Sequence, residues 1–116
     1  MLQRFEQPRL IDFYTHVFKA PDKGFRRPYR EGVAWRAPWN PSDGFHVYGC
    51  RWTEERITWY VDGEFVFSRK NDYWHQPLDI ALSVGLRHHL GKLPDPTGFP
   101  TWMEVDYVRV WRLVHR

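Results

Sequence analysis

Between its prolines and glycines the chain alternates apolar and polar residues, a period of two that predicts β-strands. The strands are expected at residues 11–18, 45–52, 56–61, 64–68, 78–87 and 102–113. In the first, Ile11, Phe13, Thr15 and Val17 share one face, while Asp12, Tyr14, His16 and Phe18 share the other. The sharpest local signal is Asp62-Gly63 between two β-rich runs, which predicts a type I′ hairpin because both central positions need a positive φ. No segment sustains a helical period over three turns, and Glu54-Glu55-Arg56 is expected to form a single turn. The remainder reads as two long loops, 20–44 and 88–101. The first carries Trp35, Trp39 and several arginines, so it reads as functional rather than as a linker.

Antiparallel strands without helices imply a sandwich or barrel. At 116 residues the chain has room for one domain, yet about six strands leave little for two full sheets, so it reads as part of something larger. Aromatics make up 18% of it, more than a small core alone consumes, which raises the prospect of a ligand platform. One cysteine, Cys50, excludes a disulfide framework and a cysteine-rich zinc site, and it reads as a small buried hydrophobe. No apolar run spans a membrane, and the opening Met-Leu-Gln-Arg-Phe-Glu has no signal-peptide core. The net charge is +3, with Arg outnumbering Lys 13 to 4. Arginine is preferred where a planar fork grips a carboxylate, sulfate or phosphate. Without a Lys/Arg run or an RNA motif, nucleic acid is not the expected partner.

From His46 to Arg112 the chain resembles the C-terminal half of a family 16 glycoside hydrolase. The resemblance rests on Phe-His-Val-Tyr-Gly (45–49), Ile-Thr-Trp-Tyr-Val-Asp-Gly-Glu (57–64), Tyr-Trp-His (73–75), Leu-Ser-Val-Gly-Leu-Arg (82–87) and Gly-Phe-Pro-Thr-Trp-Met-Glu-Val-Asp-Tyr-Val-Arg-Val-Trp (98–111). Their order and spacing are similar to the κ-carrageenase branch. The resemblance implies an all-β, concanavalin-like jelly roll, of which residues 1–116 form a C-terminal portion. It implies retaining hydrolysis of a β-linked, sulfated galactan of the carrageenan or agar type, and export from the cell. Neither cofactor nor metal is expected. The family's catalytic strand carries Glu-x-Asp-x-x-Glu, two carboxyls about 5–5.5 Å apart as retention requires. No such motif occurs in the chain: Glu54-Glu55 are adjacent, and Glu104-Val105-Asp106 continues as Tyr107-Val108-Arg109 in the stretch that matches the family's last strand. The expected contribution is therefore substrate positioning without the catalytic carboxylates. A non-catalytic carbohydrate-binding jelly roll is the alternative.

Arg87 is the leading ligand candidate. It ends the face Asp79, Ala81, Ser83, Gly85, small and polar enough for a cleft floor, and it matches the Arg of the family's Gly-Leu-Arg motif. His16 resembles the family's histidine beside the acid/base carboxyl, though a polar-layer histidine fits as well. Trp74 and His75 lie before the Arg87 strand, where Trp74 either stacks on a pyranose or packs under the hairpin. Trp39, in the arginine-rich loop, is a further substrate contact. Trp59 and Trp111 read as packing residues, and His88-His89 as a polar loop rather than a metal site. The opposite face of the Arg87 strand, including Ile80, Leu82 and Val84, is expected to lie exposed, with self-association through a sheet edge or face as the consequence.

Overall fold

A computed structural model describes residues 3–4, 7–17, 29–85, 100 and 102–114 of the chain. Two units are present, Met1–Pro77 and Leu78–Arg116. The first holds two antiparallel three-stranded sheets. One sheet has the order β1 (Gln3–Arg4), β2 (Gln7–Val17), β3 (Tyr29–Arg36). The other has the order β4 (Tyr48–Trp52), β5 (Arg56–Val61), β6 (Glu64–Lys70). The class expected from the sequence, an all-β partial sandwich of antiparallel strands, is the one observed.

Alternation decides which face of each strand turns inward. On β2 the apolar set Ile11 and Phe13 is buried, and from the second sheet Val61 joins it. Ala37 completes that cluster, with Val33, Trp35, Trp39, Tyr48, Trp59 and Val66 packed around it. Each large apolar side chain so buried contributes roughly 1.5–3 kcal/mol. Trp59 stacks on Phe67 at 5.8 Å, as its packing role requires. The β5–β6 turn has φ of 51° at Asp62 and 80° at Gly63, the two left-handed positions of a type I′ hairpin. A register shift on β5 between Trp59 and Tyr60 follows from the unequal number of residues on β5 and β6 there.

Between the sheets, Ala37 extends the β2–β3 pairing with a 2.8 Å bond from its amide to the Arg9 carbonyl. A single 3₁₀ turn, Pro41–Asp43, then follows. Asn40 caps it, accepting the Ser42 N–H at 3.0 Å, and proline at the first position loses no needed donor.

Several expectations need correction. The segment read as one loop, 20–44, contains β3, which pairs with β2 from Tyr29 to Arg36. Its tryptophans serve the core: Trp35 meets Phe13 edge-on at 6.3 Å. Arg56 does not sit in a turn but opens β5, opposite Lys70. Cys50 is exposed rather than buried, on β4, an edge strand of its sheet among the described residues. Even so, local desolvation pushes its thiol up, away from the reactive thiolate.

In the second unit, residues 78–85 and 102–114 carry no strand. Alternation marks which side chains want burial, but a strand also needs a neighbour for its backbone N–H and C=O groups. No described residue supplies that ladder to either stretch. Their apolar side chains lie open to solvent, Ile80, Leu82 and Val84 at 65%, 57% and 64%, as anticipated. Trp111, expected to pack, is exposed too.

Candidate functional site

The β2–β3 register fixes a polar face on the first sheet, opposite the core. His16 pairs with Arg30, Tyr14 with Gly32 and Asp12 with Ala34, so these six residues share that face. Its chemistry is uneven in a useful way. The Tyr14 ring lies against Gly32 and Asp12 is buried, while His16 and Arg30 stand exposed at one end. The Arg30 guanidinium carbon lies 4.6 Å from the centre of the Tyr14 ring, and the Tyr14 and His16 rings are 6.3 Å apart. A cation, an imidazole and a phenol are thereby grouped on one exposed end of the sheet. Stacking on Tyr14 orients the guanidinium without removing its charge.

His16 is held from the opposite face. The Trp74 indole N–H donates to the His16 carbonyl at 2.9 Å. Beside it, Arg69 reaches across from β6 and donates from Nη1 to Thr15 Oγ1 at 3.0 Å. Arg69 is itself buried and heavily partnered. Nη1 lies 3.0 Å from a Glu31 carboxylate oxygen, Nη2 lies 3.7 Å from Asp72, and its guanidinium sits 4.8 Å from the centre of the Trp74 ring. Burying such a charge is tolerable only with this many partners. Asn71 completes the assembly with one side-chain amide. Nδ2 donates to the carbonyls of Thr53 and Trp74, both at 2.8 Å, and Oδ1 accepts the Trp74 N–H at 2.9 Å.

Of the sequence-predicted contacts, His16 is thus exposed on a polar face. Trp74 is 7% exposed, with Arg69 over its ring and its N–H spent on the His16 backbone. His75 follows it, exposed at the surface. Trp39 lies elsewhere. It stacks flat on His46, ring centres 3.3 Å apart at 6°, and meets Trp35 edge-on at 6.0 Å. Arg87, His88 and His89 lie outside the described residues. The sequence pattern leaves Arg30 in a loop, whereas it stands on β3 opposite His16. The signal was present: Val33 and Trp35 alternate with Gly32, Ala34 and Arg36.

His46 also bonds Asp62, Nδ1 to Oδ2 at 2.7 Å, while Asp62 Oδ1 accepts the Val47 N–H at 2.8 Å. The Val47 amide first, and His46 second, hold the Asp62 carboxyl below the usual aspartate range. A carboxyl depressed by folding adds stability above its unfolded pKa of about 3.9, and that stability is lost as pH falls through the folded value. Asp62 is 43% exposed, so solvent screening keeps the contribution small. The expected result is a modest fall in melting temperature below about pH 4. It should be blunted in Asp62→Asn, where asparagine still accepts the left-handed turn. Thermal melts from pH 7 to 3 on both proteins check this.

The family model for glycosyl hydrolases family 16 matches residues 16–89, more than half of the chain, and the chain belongs to that family. It is 45% identical over 94 residues to a κ-carrageenase from Pseudoalteromonas carrageenovora, covering 72% of this chain and 24% of that protein. It is 34% identical over 99 residues to a β-glucanase from Rhodothermus marinus, covering 73% of this chain and 34% of that one. A glucan endo-1,3-β-glucosidase A1 from Niallia circulans matches at 34% over 86 residues, 61% of this chain and 13% of that protein. The crystal structure of a κ-carrageenase from Zobellia galactanivorans superposes with a TM-score of 0.43 at 32% identity, over 59% of this chain and 26% of that one. The chain therefore spans about a third or less of the length of these relatives.

Proposed function

We propose that the chain is a C-terminal portion of a family 16 glycoside hydrolase domain. On this reading it supplies part of the binding cleft for a sulfated, β-linked galactan that the whole domain cleaves with retention. The similarity to a κ-carrageenase, 45% identical over 94 residues, carries this reading. The polar face supports it: Arg30 and His16 offer donors to an anionic or hydroxylated polymer. His16 and Arg30 would touch the sugar directly. Trp74 would act through the His16 backbone that it holds, with exposed His75 beside it. Arg87 is proposed from sequence as the sulfate contact, and Trp39 as a further contact to the sugar. Exposed apolar faces at 78–85 favour association with another sheet, in a second copy or in the rest of such a domain.

A second reading, a neutral β-glucan, has its own support in the β-glucanase and endo-1,3-β-glucosidase relatives. Titrating the purified chain with κ-carrageenan oligosaccharides, their desulfated forms and laminari-oligosaccharides separates the two. The galactan reading expects the sulfated ligand to bind at least about tenfold tighter, the worth of one charge-assisted hydrogen bond. Preference for the laminari-oligosaccharide would replace it with the glucan reading.

A further inference from the structure

The outer face of the second sheet carries charges that the fold does not neutralise. Alternation on β5 places Arg56, Thr58 and Tyr60 away from the core. Pairing adds Arg51 opposite Thr58 on one side, and Ser68 opposite Thr58 with Lys70 opposite Arg56 on the other. Like charges directly across a sheet, as at Arg56 and Lys70, repel one another. Lys70 finds Asp72 at 3.6 Å. Neither arginine finds an acid among the described residues. Arg56 spends only its Nε, donating to Ser68 Oγ at 3.0 Å, while Ser68 and Thr58 share a 2.9 Å bond. That row of hydroxyls fixes the guanidinium and leaves both Nη groups open. Arg51, Thr53, Glu55, Arg56 and Thr58 line a recess of about 260 Å³ there.

We propose that this recess is a second binding site for a sulfated sugar, on the sheet opposite the core from the polar face of β2 and β3. The two guanidiniums take the sulfate ester, Glu55 and Thr58 take ring hydroxyls, and Tyr60 offers an aromatic face to the next residue of the polymer. Glu55 sets the ligand class. Its carboxylate accepts from the O–H donors of a sugar, which a DNA backbone does not offer. The choice of sulfate as the anion rests on the sulfated-galactan reading above. The location of the site does not. A polymer gripped on both faces would be retained between encounters with the cleft.

Backbone amide shifts of the whole chain, followed by NMR during titration with a κ-carrageenan tetrasaccharide, test the proposal. Saturable shifts are expected at Arg51, Arg56, Thr58 and Ser68. They should persist in His16→Ala and weaken at least tenfold in Arg51→Gln/Arg56→Gln, with single Arg51→Gln as the milder variant should the double one fail to fold. No shift at these residues, equal shifts with the desulfated sugar, loss in His16→Ala, or a stronger response to a DNA oligonucleotide would each overturn it. Shifts here without any at Tyr14, His16 or Arg30 would uphold this site and count against the cleft. Shifts only at the cleft would do the reverse.

Discussion

Gly32→Ala is expected to destabilise the first unit by about 3 kcal/mol, the upper part of the range for overpacking. Gly32 stands opposite Tyr14 in the β2–β3 ladder. A Cβ there would fall on the Phe13 carbonyl oxygen and lie 2.7 Å from both Cα and Cδ1 of Tyr14. The Tyr14 ring can swing aside. The Phe13 backbone cannot, because its side chain is fully buried in the core and it is paired with Val33 in the β2–β3 ladder. Relief must come from parting β2 and β3, which also separates His16 from Arg30. Melting temperatures by circular dichroism should fall by roughly 4–8 °C per kcal/mol for a unit of this size. Ala34 occupies the same face two residues on, opposite Asp12, and already carries a Cβ. A Gly32→Ala protein that melts with the wild type would show that the two strands do not approach as described.

The chain as it stands is expected to release no reducing ends from κ-carrageenan, agarose or laminarin above a buffer control. Retention needs a nucleophilic carboxylate and an acid/base carboxyl about 5–5.5 Å apart. The general acid/base component alone is worth about 10²–10⁴-fold. Glu54 and Glu55 are exposed neighbours in the β4–β5 turn, where the Thr53 hydroxyl accepts the amides of Glu55 and Arg56. Glu104 and Asp106 lie exposed in a stretch that has no sheet partner among the described residues. Among the described residues neither pair sits at alternate positions of a strand. Turnover abolished by Glu54→Gln, Glu55→Gln, Glu104→Gln or Asp106→Asn would show that a catalytic pair was overlooked.

What could be read in the sequence follows from what local chemistry can encode. Asp62-Gly63 specifies its turn through backbone sterics alone, and it forms. Ile11, Phe13 and Thr15 declare their face through period two and are buried, and Asp12 on the opposite face is buried as well. Residues 29–36 hid because arginine, glutamate and glycine interrupt the run, although Val33 and Trp35 alternate correctly. Stretches 78–85 and 102–114 show the converse: the pattern is strong, but pairing is a property of neighbours, and the described residues provide none. Arg69 was invisible for a different reason. Its partners Thr15, Glu31, Asp72 and Trp74 are gathered from across the first unit by the fold, and no spacing announces them. His16 was legible only through the resemblance, and Arg30 beside it required the β2–β3 register.

Calorimetric titration of a κ-carrageenan oligosaccharide into the wild-type chain, Arg87→Ala, Arg87→Lys and Arg109→Ala bears most directly on the sulfated-galactan cleft. Arg109 stacks on Tyr107 at 4.3 Å in the second unit, and its removal changes net charge equally. The account predicts a loss of about 10–100-fold for Arg87→Ala, the range for hydrogen bonds to a charged group. Arg87→Lys should recover part of it, since an ammonium keeps the charge and loses the fork. Arg109→Ala should stay near wild type, and binding by the wild-type chain should persist at 1 M salt, where the Debye length is about 3 Å. Equal losses for Arg87→Ala and Arg109→Ala, fading together in salt, would reduce the interaction to net charge and contradict a built sulfate contact.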